Sequence, residues 1–437
     1  MTRWSAVRTR LPPRPKLSGV ARTSPLLVLG ALLAAAVALT PPGPDRALDG
    51  VVARAPTSSR PTVEAAFTRE SYGPGEVALL RLFDRVRFVR LQVFRAGTEG
   101  FALRARDAMR GTPVEPAVAF VAARWAAVPV GDWPSGLYYA KLSAPGSRVG
   151  YAPFVVRPAF LGVERVAVVL PTLTWQAYNF RDDDRDGDAD TWYADSTSTV
   201  RLARPFENRG VPPHYKHYDQ PFLRWLNESG RGADFLAQSD LERARGADLR
   251  AAYDLIVFPG HHEYVTAREY DAVESYRNRG GNLMFLSANN FFWKVVKHAG
   301  VMRRVGHWRD LGRPEAGLVG VQYIGNDEGE HRGAWVVTRA GAGHWAFARV
   351  GVRPGSRFSN GGIEIDKTAP SSPPGTRVLA EIRDLLGPGK TGQMTYYETR
   401  RGAKVFAAGA FTLAGAVRQP SVRLLLENVW DRLSAGD

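Results

Sequence analysis

The sequence predicts two folded parts in series, an all-β sandwich and then a doubly wound α/β domain on a parallel sheet. Three observations predict this. Between residues 62 and 158, short alternating stretches are separated by turn signals at Gly73-Pro74-Gly75, Gly111-Thr112-Pro113, Pro134-Ser135-Gly136 and Pro145-Gly146, the spacing of an immunoglobulin-like or fibronectin-like sandwich. At residues 166–170 the alternation gives way to an unbroken apolar run, the mark of a strand buried on both faces. Residues 253–286 then read strand, polar tip, helix, Gly-Gly, strand, polar tip, which is one βαβ unit.

Each element has its own signal. In the first part, 86–94 alternates cleanly, and 136–142 and 149–156 are rich in β-branched and aromatic residues. The first strand of the second part ends at Pro171, and a long acidic loop with aromatics follows to Pro213. Phe222, Leu223, Trp225 and Leu226 mark a helix stopped by Gly230, and residues 240–249 a further short helix. Leu255 to Phe258 is the central strand. Thr266 is placed to cap the next helix, which stops at Gly280-Gly281 before a strand at 282–286. Residues 318–324, 335–338, 393–398 and 404–408 read as strands, and 421–433 as a closing amphipathic helix.

The chain has 437 residues and a net charge of +15. The first sixty residues, with nine basic side chains against two aspartates, carry +7 of it. No basic run with interleaved aromatics occurs beyond them, so nucleic acid is not an expected partner. The amino terminus is basic to Arg22 and apolar from Pro25 to Leu39, with Ala36-Val37-Ala38 as a cleavage-like site. Residues 1–40 are therefore expected to be a signal peptide or anchor, 41–61 a Pro-rich linker, and the protein exported, either extracellular or held at the outer face of the cytoplasmic membrane. Contact with the membrane is expected only through that segment. The absence of cysteine excludes disulfides, thiolate metal sites and a cysteine nucleophile.

Chemistry in an open α/β sheet lies past the carboxyl ends of the strands. His261, His262 and Glu263 stand there after the central strand, and Ser287, Asn289 and Asn290 after the next. Tyr178 and Tyr193 with Glu263 offer hard anionic oxygens that suit Fe(III), or are packing tyrosines. Asp182, Asp184, Asp186 and Asp190, with Gly187 at the sixth place, resemble the front of a calcium loop. The twelfth position is Tyr193 in place of the EF-hand glutamate, so the run reads equally as an acidic surface loop.

Three motifs in order carry a resemblance: TWQAYN at 174–179, GHHEY at 260–264 after YDLIVF, and GGNLMFLSANNFFW at 280–293. They are similar to the large-subunit domain of N,N-dimethylformamidase and its bacterial relatives, over roughly 163–433. The resemblance implies a glutamine-amidotransferase-like (flavodoxin-like) domain, here assigned to 163–437. It also implies hydrolysis of a small amide and a mononuclear iron held by two tyrosines and a glutamate. Matched motif by motif, Tyr178 and Glu263 take two of these places and Tyr193 the third, with Tyr215 and Tyr218 as rivals. The same matching assigns catalytic roles to His261, Asn289 and Glu398. A small partner subunit does not follow from this chain, and a homo-oligomer is left open.

The expected function is therefore an exported, metal-dependent amidohydrolase. The rival reading is a non-catalytic exported protein that binds carbohydrate or a surface through the sandwich. A serine hydrolase using Ser287 lacks the G-x-S-x-G elbow.

Overall fold

Strand Gly136–Ala144 shows how the two parts are joined. Successive side chains of a strand face opposite ways, and here both faces are buried. Tyr138, Ala140 and Leu142 enter the sandwich core, while Leu137 and Tyr139 enter a second core shared with the α/β part. Strand Arg148–Val156 repeats the pattern, with Ala152, Phe154 and Val156 on one side and Tyr151 and Val155 on the other. The computed structural model describes residues 60–99, 103–411 and 413–436. The proposed signal segment and nearly all of the linker lie outside them. The described residues belong to one compact unit, Ala53–Asp437. Among them, no helix is long and apolar enough to cross a membrane.

Residues 62–158 form a three-stranded and a six-stranded sheet. The first contains Ala65–Phe67, Val77–Leu82 and Trp125–Pro129. The second is centred on Phe88–Ala96, Gly136–Ala144 and Arg148–Val156. Their facing sides close over Val89, Val93, Tyr138 and Phe154.

In the second part, five parallel strands lie side by side in the order Asp234–Ala237, Val166–Leu170, Leu255–Phe258, Asn282–Phe285 and Lys404–Ala407. In chain order this is second, first, third, fourth, fifth. The progression reverses between the first and third strands, so their carboxyl ends diverge into the crevice where such sheets hold ligands. The sheet continues antiparallel through Gly392–Glu398, Arg377–Ile382, Arg332–Val337 and Arg357–Lys367. The last of these also pairs with Ala410–Phe411, just past the end of the fifth parallel strand. That pairing carries residues 362–366 over the carboxyl ends of the parallel strands.

Three expectations change. The short helix expected over 240–249 is two, Gln238–Arg243 and Gly246–Ala252, separated by extended backbone at Ala244 and Arg245. Residues 318–324 are not one strand: Ala316–Val319 is a short helix ended by Gly320 at φ 96°, and the strand is Gln322–Asn326. A hairpin of Trp293–His298 and Val301–His307 packs beside Tyr264–Thr266, where no strand was expected. Its burial is irregular, so it lacks the alternation that marks a strand in sequence.

Candidate functional site

The site begins at Pro171, where the first parallel strand ends. The six-residue helix Thr172–Ala177 follows at once, and Tyr178 closes it with its backbone N–H on the Thr174 carbonyl. From the neighbouring third strand come Pro259 and Gly260. A side chain at Gly260 would meet Asp219 Oδ1 and Pro171 Cγ, each at 2.9 Å, so only glycine lets the two strand ends approach this closely. His261, His262 and Glu263 follow, all buried. Thr174 Oγ1 accepts from the backbone N–H groups of Glu263 and Tyr264, at 3.2 and 3.5 Å. Gln238, past the end of the second strand and fully buried, ties the same two segments. Its Oε1 accepts from Leu173 N at 2.8 Å, and its Nε2 donates to the Tyr264 carbonyl at 2.9 Å.

On this frame the side chains converge. The Tyr178 hydroxyl donates to Glu263 Oε2. His261 Nε2 lies 3.1 Å from the same oxygen, and its Nδ1 lies 3.9 Å from Glu364 Oε2. Glu364 comes from strand Arg357–Lys367. The side-chain amide of Asn289 faces it, and the Asn289 backbone N–H donates to Asp366 Oδ1 at 2.8 Å. Asn289 has φ 54°, a left-handed conformation that asparagine tolerates better than most residues.

Burial dominates the electrostatics. It pushes the Glu364 carboxyl well above its usual range, and the charge of Glu263 adds to the effect. Burial and Glu263 likewise hold the Tyr178 phenol far above its ordinary value. Asp366 is pushed up to about 7 by burial. His262, next to the cluster, is held neutral at about 3 by burial, with Nδ1 on the Gly260 carbonyl. It packs edge-on against Phe258.

These residues open on a cavity of about 380 Å³. Tyr178, His261 and Glu364 line it, together with Tyr193 and Tyr218. Tyr193 packs edge-on against Tyr178 at 5.2 Å, but its hydroxyl donates to Glu328. Tyr218 stacks on Phe411, which stacks on His261. Tyr215 is buried in the core and does not line the cavity.

The structure thus brings together Tyr178, His261, Glu263 and Asn289, with Tyr193 beside them. Glu398 does not join them. Its strand runs antiparallel to the fifth parallel strand, with Glu398 opposite Lys404, at the end where the parallel strands begin. There it is exposed and accepts from the Tyr396 hydroxyl. Glu364 is the carboxyl that the sequence reading missed. Its signal was the alternation Ile363-Glu364-Ile365-Asp366, a strand with two acids on one face.

In the acidic loop, oxygens of Asp182, Asp184 and Asp190 lie within 4.8 Å of one another, without Asp186. The loop's own N–H groups already use these acids: Asp182 accepts from Arg185 and Gly187, and Asp190 from Asp183. Asp183 anchors the loop to the buried Arg204 at 2.8 Å.

Residues 91–423 match the family model described as N,N-dimethylformamidase beta subunit-like, C-terminal. The chain belongs to that family. The family match begins some seventy residues before the resemblance read from the motifs, inside the six-stranded sheet whose outer face shares a core with the α/β part. Two N,N-dimethylformamidase beta subunits, from Paracoccus aminophilus and an Alcaligenes species, are each 25% identical to the chain over 260 residues. Each match covers 46% of this chain and 34% of the relative, so the chain matches about a third of the length of these curated relatives. Among solved structures, superoxide reductase (neelaredoxin) from Ignicoccus hospitalis is 21% identical over 26% of this chain and 92% of that one, with a TM-score of 0.12. A Paenibacillus cycloisomaltooligosaccharide glucanotransferase is 11% identical over 56% of this chain and 34% of that one, with a TM-score of 0.15. Likenesses this weak carry no argument about fold or chemistry.

Proposed function

We propose that the protein hydrolyses the C–N bond of a small amide in this cavity, and that its second part is a flavodoxin-like, glutamine-amidotransferase-like domain. The observation that carries the reading is the set Tyr178, His261, Glu263, Asn289 and Glu364, gathered past the carboxyl ends of the parallel strands, with Tyr178, His261 and Glu364 lining a cavity. Family membership supports it.

The residues fit a mononuclear iron. A phenol and a carboxylate already share one contact, and Glu364 Oε2 and Asn289 Oδ1 are buried without a hydrogen-bond partner. Tyr178 and Glu263 would hold the ion, with Tyr193 or Tyr218 as the second phenol. Tyr193 has its hydroxyl committed to Glu328, whereas among the described residues no hydrogen bond engages the hydroxyl of Tyr218. A bound Fe(III) would supply Lewis acidity toward the amide carbonyl and toward water.

The chain's own residues do the rest. His261, oriented by Glu263, takes a proton from the water whose oxygen bonds to the carbonyl carbon. Asn289 hydrogen-bonds the carbonyl oxygen as negative charge builds on it. Glu364, kept protonated by burial, gives its proton to the departing nitrogen as the C–N bond breaks. The products are a carboxylic acid and an amine.

Amine release from N,N-dimethylformamide by the purified protein tests the reading. Turnover is expected from the wild type, and its loss by about a hundredfold or more in His261→Ala, as removal of a proton-transfer group gives. No release from any short amide at millimolar concentration would leave the non-catalytic reading standing.

A further inference from the structure

The cavity is electrostatically divided. Its floor is built from buried groups such as His261, Asp219, Glu364 and Phe411, and exposed residues form its rim. Arg106 reaches the rim from the segment between sandwich strands, and Arg332 from the start of strand Arg332–Val337. Both are exposed, and among the described residues neither guanidinium has an ion-pair partner. By contrast, Arg157 at the end of the sandwich is paired with Glu76, and Arg209 of the α/β part with Asp107. His217 lines the same cavity. Crowding by protein and the charges of Arg106, Lys216 and Arg332 hold its imidazole below the usual pKa, which places this positive charge at one spot on the rim. Glu328 is the acid on the same rim, and it already accepts from Tyr193.

Two arginines from distant parts of the chain, converging unpaired on the mouth of a reaction cavity, leave an anion to be supplied by what enters it. We infer that the substrate is an amide that also carries a carboxylate, bound at the rim by Arg106 and Arg332 with its amide group directed to His261 and Glu364. A guanidinium meets a carboxylate through two parallel hydrogen bonds, which fixes orientation as well as affinity. The size of the cavity, about 380 Å³, suits a short molecule with the two groups a few bonds apart. The inference rests on the hydrolytic reading for the amide, but the anion subsite itself does not depend on turnover.

N-formylglycine and neutral N-ethylformamide are the probes. Calorimetry on the full chain at low salt is expected to show N-formylglycine binding about tenfold or more tighter than N-ethylformamide, as expected for charge-assisted pairing. Arg106→Gln with Arg332→Gln should bring the ratio of the two affinities close to one. Hydrolysis of both probes is followed in parallel, and the double variant is expected to raise KM for N-formylglycine more than it lowers kcat. Arginine-dependent binding without hydrolysis would refute the hydrolytic reading and leave the anion subsite standing. Equal binding of the two probes by the wild type, or a preference that survives in the double variant, would overturn the inference. Melting curves of the variants separate a lost subsite from a lost fold.

Discussion

At the scale of single residues, the decisive distinction is between two glutamates. Glu364 is buried, faces His261 and Asn289, and lines the cavity. Glu398 lies at the opposite end of the sheet in solvent. Glu364→Gln keeps the volume and removes the proton donor, so kcat for amide hydrolysis should fall about a hundredfold or more. Glu398→Gln should leave it within error. Equal effects from the two substitutions would contradict the placement. Tyr178, His261, Glu263 and Asn289 were legible because each sits within a short motif just past a strand end. Glu364 was not, because the long antiparallel strand that carries it returns from elsewhere in the chain. Only the pairing of Gly362 and Ile365 with Phe411 and Ala410 shows where it lands.

At the scale of elements, the site depends on two loops being held in register. The helix Thr172–Ala177 is too short to be stable by itself, yet it sets the position of Tyr178. Gln238 and Thr174 supply what its length does not: Gln238 bonds to both site-bearing segments, and Thr174 ties its own helix to residues 263 and 264. Gln238→Leu would leave the Leu173 N–H and the Tyr264 carbonyl without these partners in the interior. Such a loss costs about 1–3 kcal/mol for each group left unsatisfied. A clear fall in Tm is expected, with a larger fall in kcat than in retained helix signal by circular dichroism. An unchanged Tm would show that the two loops hold their places without it. Strands, helix caps and the βαβ unit were readable from periodicity and turn residues. The cross-bonding by Gln238 was not, because a buried glutamine carries no local pattern.

At the scale of the whole molecule, the sandwich and the α/β part are not independent. The six-stranded sheet buries Leu137, Tyr139, Tyr151 and Val155 in the core that also holds Val168, Trp175 and Phe222. The textural break near residue 160 is therefore a change of architecture inside one compact unit, and the family match crosses it. Periodicity separates a sheet from a helix-covered sheet, but it does not reveal that an antiparallel strand is buried on both faces. The rim arginine of the sandwich segment is a further consequence, since a truncation at residue 158 removes Arg106 from the cavity. The proposed iron centre at the strand ends is tested most directly by the visible absorption spectrum of the protein purified after growth with ample iron. A phenolate-to-iron charge-transfer band is expected, with about one iron per chain. It should be lost or shifted in Tyr178→Phe, while the far-ultraviolet spectrum stays the same. A colourless, iron-free protein, or a band indifferent to Tyr178→Phe, would contradict the proposed centre.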